Sequence, residues 1–317
     1  MEPSITASVE TEHDYEETAR LATIAFGRQA DPFDPARFVW FYERAFSEGA
    51  TVVRLTDERT GQKIGQIAMV NHAIATPGGI ERASALVDLF ILPDYRGGAR
   101  LQTLYDTVGE QFRAQSIRFG LGMPNKKALP VNERFFQLMA YRRLDLRGGL
   151  QAPALRNKVR ISEEVTGAGA ERITELFAPF ATSPGETGLI WDGPRMAARL
   201  ANPGQHYGFH ATDNLALISS PRRFKNVPVT LLIGFFVRQG ARPRKRDIKA
   251  LVTSATALWR RPAFIYAGLH RSLPALPGWP FPERLRFSPM VLQLRDFAPE
   301  REPLDLDRFQ LIDFDFG

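Results

Sequence analysis

Two periodicities alternate along the first half of the chain. Ile5–Val9 alternates apolar and polar positions as a short strand. Glu16–Phe26 gathers Ala19, Ile24 and their neighbours on one side of a helix. Asp34-Pro35 opens a second helix: the aspartate caps, the proline takes the first helical position, and Phe38, Phe41, Tyr42 and Ala45 follow at helical spacing. Thr51–Thr56 and Gln62–Ala75 read as strands around a turn at Asp57–Gly61. Pro77-Gly78-Gly79 then leads to Ala85–Leu92, an apolar strand interrupted by Asp88. A helix over Leu101–Gln115, a strand over Ile117–Met123, a short helix over Asn132–Met139 and a strand beginning at Tyr141–Leu146 complete this half.

The second half repeats that outline more weakly. Asp192-Gly193-Pro194 opens a helix to Leu200, a strand pair spans Gly208–Ser219, and Val229–Val237 is an apolar strand. Arg246–Trp259 reads as a helix, Ala263–Leu269 as a strand and Asp307–Phe316 as a closing strand. The helix starts at Asp34 and Asp192 lie 158 residues apart, and the apolar strands at Asp88 and Gly234 lie 146 apart. Two comparable offsets near half the chain length point to a duplicated domain, 1–155 and 156–317, with two unrelated α/β units as the alternative. A length of 317 residues fits two domains.

Composition narrows the chemistry. The chain has no cysteine, which excludes disulfides, thiolate metal sites and a cysteine nucleophile. The longest apolar run, Val229–Val237, falls well short of the ~20 residues that span a bilayer, and the acidic first segment lacks a signal-peptide core. A cytoplasmic location is the expectation. The net charge of +6 is uneven: residues 1–155 carry −1 and residues 156–317 carry +7. The excess sits at Arg238, Arg242, Arg244, Lys245, Arg246 and Lys249, read either as a solvated loop and helix start or as a nucleic-acid surface. His206 and His210 lack a neighbouring carboxylate cluster, so no metal site is expected. Neither a Gly-x-Ser-x-Gly elbow nor a Gly-Lys-Ser/Thr phosphate loop is present.

The informative stretch is Leu92-Pro93-Asp94-Tyr95-Arg96-Gly97-Gly98-Ala99-Arg100-Leu101. A strand that delivers glycines to a helix start makes an anion site, because unpaired N–H groups of the first turn and the helix dipole both favour negative charge. Arg96 and Arg100 bracket it. With the strand order around it, this stretch resembles the acyl-CoA pyrophosphate loop of the GNAT N-acyltransferase superfamily. The likeness spans roughly residues 1–150. Gly120-Leu121-Gly122-Met123-Pro124-Asn125, followed by Phe135–Tyr141, is similar to the superfamily's last strand and terminal helix. The whole chain resembles tandem-GNAT proteins.

The resemblance implies a mixed α+β fold of two tandem GNAT-like domains, each a mixed, largely antiparallel sheet flanked by helices. It implies acetyl-CoA or another acyl-CoA as co-substrate, held by Phe90, Ile91, Arg96, Gly97, Gly98, Ala99, Arg100, Leu101 and Asn125. The loop departs from the superfamily pattern, with Ala99 and Leu101 at the two usual glycine positions. The second half has no such loop: Gln239–Pro243 is longer and places Pro243 where an N–H donor is wanted. That half is read as degenerate in cofactor binding and as shaping the acceptor site.

Aminolysis of a thioester also needs a base and a proton for the leaving thiolate. Asp88, inside an apolar strand, is the first candidate base, with an aspartate bonded to backbone or to an arginine as the alternative. His72 is the second candidate, or a satisfied core residue. The tyrosine that many GNAT enzymes use as acid is replaced by Phe136, leaving water, Tyr141 or Tyr105, or a loss of chemistry. The expected activity is direct acyl transfer to a small amine, an amino sugar or an aminoacyl compound. The alternatives are a catalytically silent acyl-CoA-binding or scaffold protein, and an RNA-engaging second half.

Overall fold

The computed structural model describes residues 4–46, 48–151, 159–224, 226–286 and 288–314. In chain order the elements are β1 (Ile5–Val9), α1 (Tyr15–Phe26), α2 (Pro35–Glu43), β2 (Ala50–Asp57), β3 (Gln62–Thr76), β4 (Gly79–Ile91), α3 (Gly98–Ala114), β5 (Phe119–Gly122), α4 (Ala128–Phe136) and β6 (Met139–Arg143). There follow β7 (Asp145–Leu150), β8 (Ile161–Glu164), α5 (Ala170–Phe177), β9 (Gly188–Leu189), α6 (Gly193–Leu200), β10 (Gly208–Ala211), β11 (Leu215–Phe224) and β12 (Val227–Val237). The chain closes with α7 (Lys245–Leu258), β13 (Ala263–His270), β14 (Trp279–Pro280), β15 (Val291–Asp296) and β16 (Arg308–Gln310).

The elements form two compact units: Met1–Ala73, Glu81–Arg142 and Leu292–Glu302 in the first, Ile74–Ile80, Arg143–Val291 and Pro303–Gly317 in the second. The units are therefore interleaved, whereas a single cut was expected at residue 155, a position outside the described residues. One residue explains much of the interleaving. Only Leu144 separates β6 from β7, and the shortest common hairpin needs a two-residue turn. The chain cannot fold β7 back onto β6, and β7 pairs instead with β13 in the second unit. The corresponding position in the first unit, beside β5, is filled from far along the sequence by β15.

The first sheet runs β1-β2-β3-β4-β5-β15-β6. β4 and β5 are parallel, while β1–β2, β2–β3 and β5–β15 are antiparallel. The Asp34 carboxylate accepts from the Ala36 N–H at 2.9 Å with Pro35 next to it, so α2 starts where the sequence predicts. Asp14 caps α1 in the same way, and Gly27, at φ 68°, ends it in the left-handed conformation that glycine adopts without strain. α3 turns Leu104, Tyr105, Val108 and Phe112 into the core with Val53, Leu55, Ile67 and Phe136. Burial contributes about 1.5–3 kcal/mol for each large apolar side chain.

The second sheet runs β14-β7-β13-β12-β11-β10-β8, with β16 paired to β13. β12 and β13 are its parallel pair. Asp192 caps α6 through the Arg195 N–H at 2.8 Å, the same device as Asp34-Pro35. α7 packs Ile248, Leu251, Val252 and Ala255 against Leu215, Leu217, Leu232 and Phe235.

Several expected elements are corrected. α3 begins at Gly98, three residues before Leu101, and α4 spans Ala128–Phe136 and not Asn132–Met139. The reason for the second shift is a cap: Asn125 Oδ1 accepts from the N–H groups of Lys127 and Ala128 at 2.9 and 3.0 Å, and Gln137, at φ 54°, terminates the helix. The closing strand is short. β16 ends at Gln310 and gives way to a 3₁₀ turn over Leu311–Asp313, with Asp315 and Phe316 outside the described residues.

Candidate active site

β4 and β5 are parallel neighbours through Ala83, Ser84 and Ala85 against Phe119, Gly120 and Leu121. Three residues past that pairing, Asp88 takes a φ of 48°. A non-glycine residue held in the left-handed region inside a strand costs of order 1–3 kcal/mol and persists only where its surroundings fix it. Here they do. The Tyr42 hydroxyl donates to Asp88 Oδ2 at 2.9 Å and accepts from Gln66 Nε2 at 2.9 Å. Arg37 Nη2 lies 3.8 Å from Asp88 Oδ1. Tyr42 and Gln66 are buried, and burial together with the Asp88 carboxylate pushes the Tyr42 hydroxyl well above its ordinary pKa, so it remains a donor. Of the alternative for Asp88, bonded to backbone or to an arginine, the structure has the Arg37 ion pair, and its hydrogen bond comes from Tyr42.

From Asp88 the strand continues through Phe90 and Ile91, both buried, into the 3₁₀ turn Pro93–Tyr95 and then α3. The ladder of α3 begins with the Leu101 N–H to Gly97 O at 3.2 Å, and the N-cap Gly97 supplies no side-chain acceptor. The N–H groups of Gly98, Ala99 and Arg100 precede the first helical bond, as the first turn of any helix leaves them. Gly97 sits at φ 170°, an extended conformation open to any residue. The glycines thus do not supply unusual backbone freedom here; they leave the helix start uncovered, with Phe135 the nearest neighbour to a side chain at Gly98 and Arg100 to one at Gly97.

The two arginines differ in role. Arg96 donates from Nη2 to Ala25 O at 2.8 Å and from Nε to Ile91 O at 3.3 Å, tying the end of α1 to the end of β4. Arg100 reaches back to Arg96 O at 3.4 Å. Asn125 is exposed and caps α4.

The other candidates are not brought to Asp88. His72 lies six residues beyond Gln66 along β3, about 20 Å at a strand's rise. It is buried edge-on against Phe46, with ring centroids 4.2 Å apart. Tyr141 sits on β6, which is separated from β4 by β5 and β15, about 14 Å at ordinary strand spacing. Tyr105 is buried on α3, where its hydroxyl donates to Asn132 Oδ1 at 2.7 Å. Asn132 Nδ2 in turn donates to Gln293 Oε1 at 2.9 Å. Phe136 stacks on Tyr105 within the core, 5.4 Å between centroids. Sequence reading missed Tyr42, Arg37 and Gln66. Gln66 alone carried a signal, as a polar residue amid the apolar run Ile64–Val70.

The second unit repeats the parallel pair and fills the space beyond it. β12 pairs in parallel with β13 over Thr230–Leu232 and carries an extra residue at Ile233 in its register with β11. Past that point β16 pairs with β13 through Gly268, Leu269 and His270. β7 already occupies the far side of Gly268, so β16 lies on the β12 side and wedges the two strands apart. The Gln310 carboxamide accepts from the Phe235 N–H at 2.9 Å and donates to Phe235 O at 3.0 Å. Gly234 and Gly268 leave room for this wedge: a Cβ on Gly234 would meet Ile312 at 3.0 Å, and one on Gly268 would meet Phe309 O at 2.9 Å.

Solved structures share this fold. A GCN5-related N-acetyltransferase from Kribbella flavida matches with a TM-score of 0.62 at 14% identity, covering 94% of this chain and 72% of that one. The chain has the tandem GNAT fold. A GCN5-related N-acetyltransferase from Anabaena variabilis matches at a TM-score of 0.57 and 10% identity, over 92% of this chain and 73% of that one. N-myristoyltransferase from Saccharomyces cerevisiae, solved with bound myristoyl-CoA, matches at 0.57 and 11% identity over 99% and 84%. No family model matches the sequence, and no curated protein is significantly similar to it. At these identities the likeness is one of GNAT fold.

Elsewhere the described residues hold no group of three or more His, Asp or Glu side chains able to bind a metal, and no helix long and apolar enough to cross a membrane. His206 pairs with Glu164, while His210 is fully buried between Ser162 and Ser219, at 2.9 and 2.8 Å. The basic residues from Arg238 to Lys249 are exposed along a loop and the first turn of α7, where Asp247 caps the Arg244 N–H at 2.8 Å.

Proposed function

We propose that the first unit binds an acyl-CoA and transfers its acyl group directly to an amine. The observation that carries this reading is β4, which runs on beyond its pairing with β5, past Asp88, to the uncapped start of α3. Such a helix start suits a pyrophosphate, and Gly97, Gly98 and Ala99 allow close approach. Phe90 and Ile91 would offer main-chain groups to the amide-bearing arm of the cofactor.

In the transfer, the amine nitrogen bonds to the thioester carbonyl carbon and the carbon–sulfur bond breaks. The amine's proton passes to the Asp88 carboxylate, or to a water held there. The leaving thiolate takes a proton from water, since Tyr105 is committed to Asn132 and Phe136 has none to give. With no cysteine in the chain, a thiol relay plays no part. Acetyl-CoA is the simplest donor to try first. Gln310 occupies in the second unit the position that a cofactor arm would need, which supports one acyl-CoA per chain.

The second reading, a silent acyl-CoA-binding protein, is favoured by one observation: Phe136 is core, and the tyrosine at Asp88, Tyr42, is buried with its proton committed to that carboxylate. Release of CoA from acetyl-CoA, followed with a thiol reagent across a broad amine panel, separates the two. A positioned base contributes about 10²–10⁴-fold. Asp88→Asn is expected to lower turnover at least 100-fold with CoA affinity retained, and His72→Ala to change it little. Loss of turnover in His72→Ala with Asp88→Asn intact would reverse the assignment, and no CoA release with any amine would leave the silent reading.

A further inference from the structure

Asp88 is held by side chains from two other elements. Tyr42 and Arg37 approach it from α2, and Gln66 approaches Tyr42 from β3. The Tyr42 hydroxyl accepts from an amide that is itself fully buried, which leaves its single proton to point at Asp88 Oδ2. The ring is fixed as well. Tyr42 packs edge-on against Phe38, with centroids 5.6 Å apart, and against Tyr15 of α1 at 6.3 Å. Tyr15 in turn donates to Glu43 at 3.0 Å.

We infer that Tyr42 is a positioning residue: braced by Gln66, it fixes the Asp88 carboxylate on β4. This rests on the proposed role of Asp88 as base. A neutral hydroxyl donating to a carboxylate stabilises the charged form, and the Arg37 guanidinium at 3.8 Å acts in the same sense. Tyr42 therefore sets the pH below which Asp88 carries a proton and stops accepting one. The same hydrogen bond holds a backbone conformation that an unbraced aspartate would leave.

The test reads Asp88 directly, by titrating its side-chain carboxyl carbon with ¹³C NMR in the full chain. Tyr42→Phe keeps the ring and its contacts with Phe38 and Tyr15. It is expected to raise the Asp88 midpoint by about one to two pH units, the worth of one hydrogen bond to a charged group. Gln66→Leu weakens the brace without touching Asp88 and is expected to shift the midpoint the same way by less; it serves also if Tyr42→Phe does not fold. The acid limb of kcat/KM is expected to move with the midpoint while KM for acetyl-CoA stays put. An unchanged midpoint in both variants overturns the inference. A shifted midpoint in a protein that releases no CoA overturns the base assignment and leaves the positioning intact.

Discussion

Gln310→Ala removes the side chain that closes the second unit's parted strands, and its cost follows from two bonds. The Gln310 carboxamide satisfies both main-chain groups of Phe235, and Gln310 is fully buried. A buried donor or acceptor left without a partner costs about 1–3 kcal/mol, so the pair loses roughly 2–6 kcal/mol before any collapse of the wedge. That is a large share of the ~5–15 kcal/mol that holds a typical domain. The assay is equilibrium urea unfolding, with hydrogen exchange at the Phe235 amide as the local readout. Gln310→Leu refills the volume but leaves the same two groups unpaired, so it is expected to recover less than half of the loss. Gln310→Glu keeps an acceptor for the N–H but sets a carboxylate oxygen against Phe235 O, and is expected to fare no better than Gln310→Ala. A loss below about 1 kcal/mol in Gln310→Ala, with the Phe235 amide still protected, would show that the wedge does not depend on this side chain.

Two further outcomes are expected. Ala99→Glu places a carboxylate in the first turn of α3, where it stabilises the helix by about 0.3–1 kcal/mol and opposes a bound pyrophosphate; a raised melting temperature with at least tenfold weaker CoA binding is expected, and unchanged affinity would place the cofactor elsewhere. Burial holds His210 and His270 at a pKa of about 3, below the ordinary 6.5, so the unfolded chain binds their protons first. Stability is therefore full above pH ~6.5 and falls as the pH drops toward 3, by about 1.4 kcal/mol per pH unit for each histidine; His210→Gln is expected to flatten the urea-midpoint profile between pH 6.5 and 4, and an unaltered slope would show that His210 titrates normally.

Much of the first unit was legible because its signals are local. Asp34-Pro35 and Asp192-Gly193-Pro194 act within one helical turn, and the structure starts α2 and α6 there. The strand carrying Asp88 and the loop at Arg96 follow from apolar runs and glycines read in place. What escaped is long-range. β15 joins β5 across more than 160 residues, and Leu144 forbids a hairpin only once the ends of β6 and β7 are known. The partners of Asp88 escaped for a related reason: Tyr42 lies on the apolar stripe of α2, where spacing alone marks it as core, and only its hydroxyl's partners show otherwise. Gln310 sat in a segment read as a plain strand, and its capping of Phe235 spans 75 residues.

On the proposed function the first unit holds one acyl-CoA and the second, occupied by its own Gln310, holds none. Calorimetric titration of the full chain with acetyl-CoA tests it most directly. One site per chain is expected, with a melting temperature that rises with ligand as binding to the folded state alone requires, roughly 2.7 kcal/mol at 100 times the dissociation constant. Two equivalent sites, or no heat and no thermal shift at millimolar acetyl-, malonyl- and long-chain acyl-CoA, would contradict it.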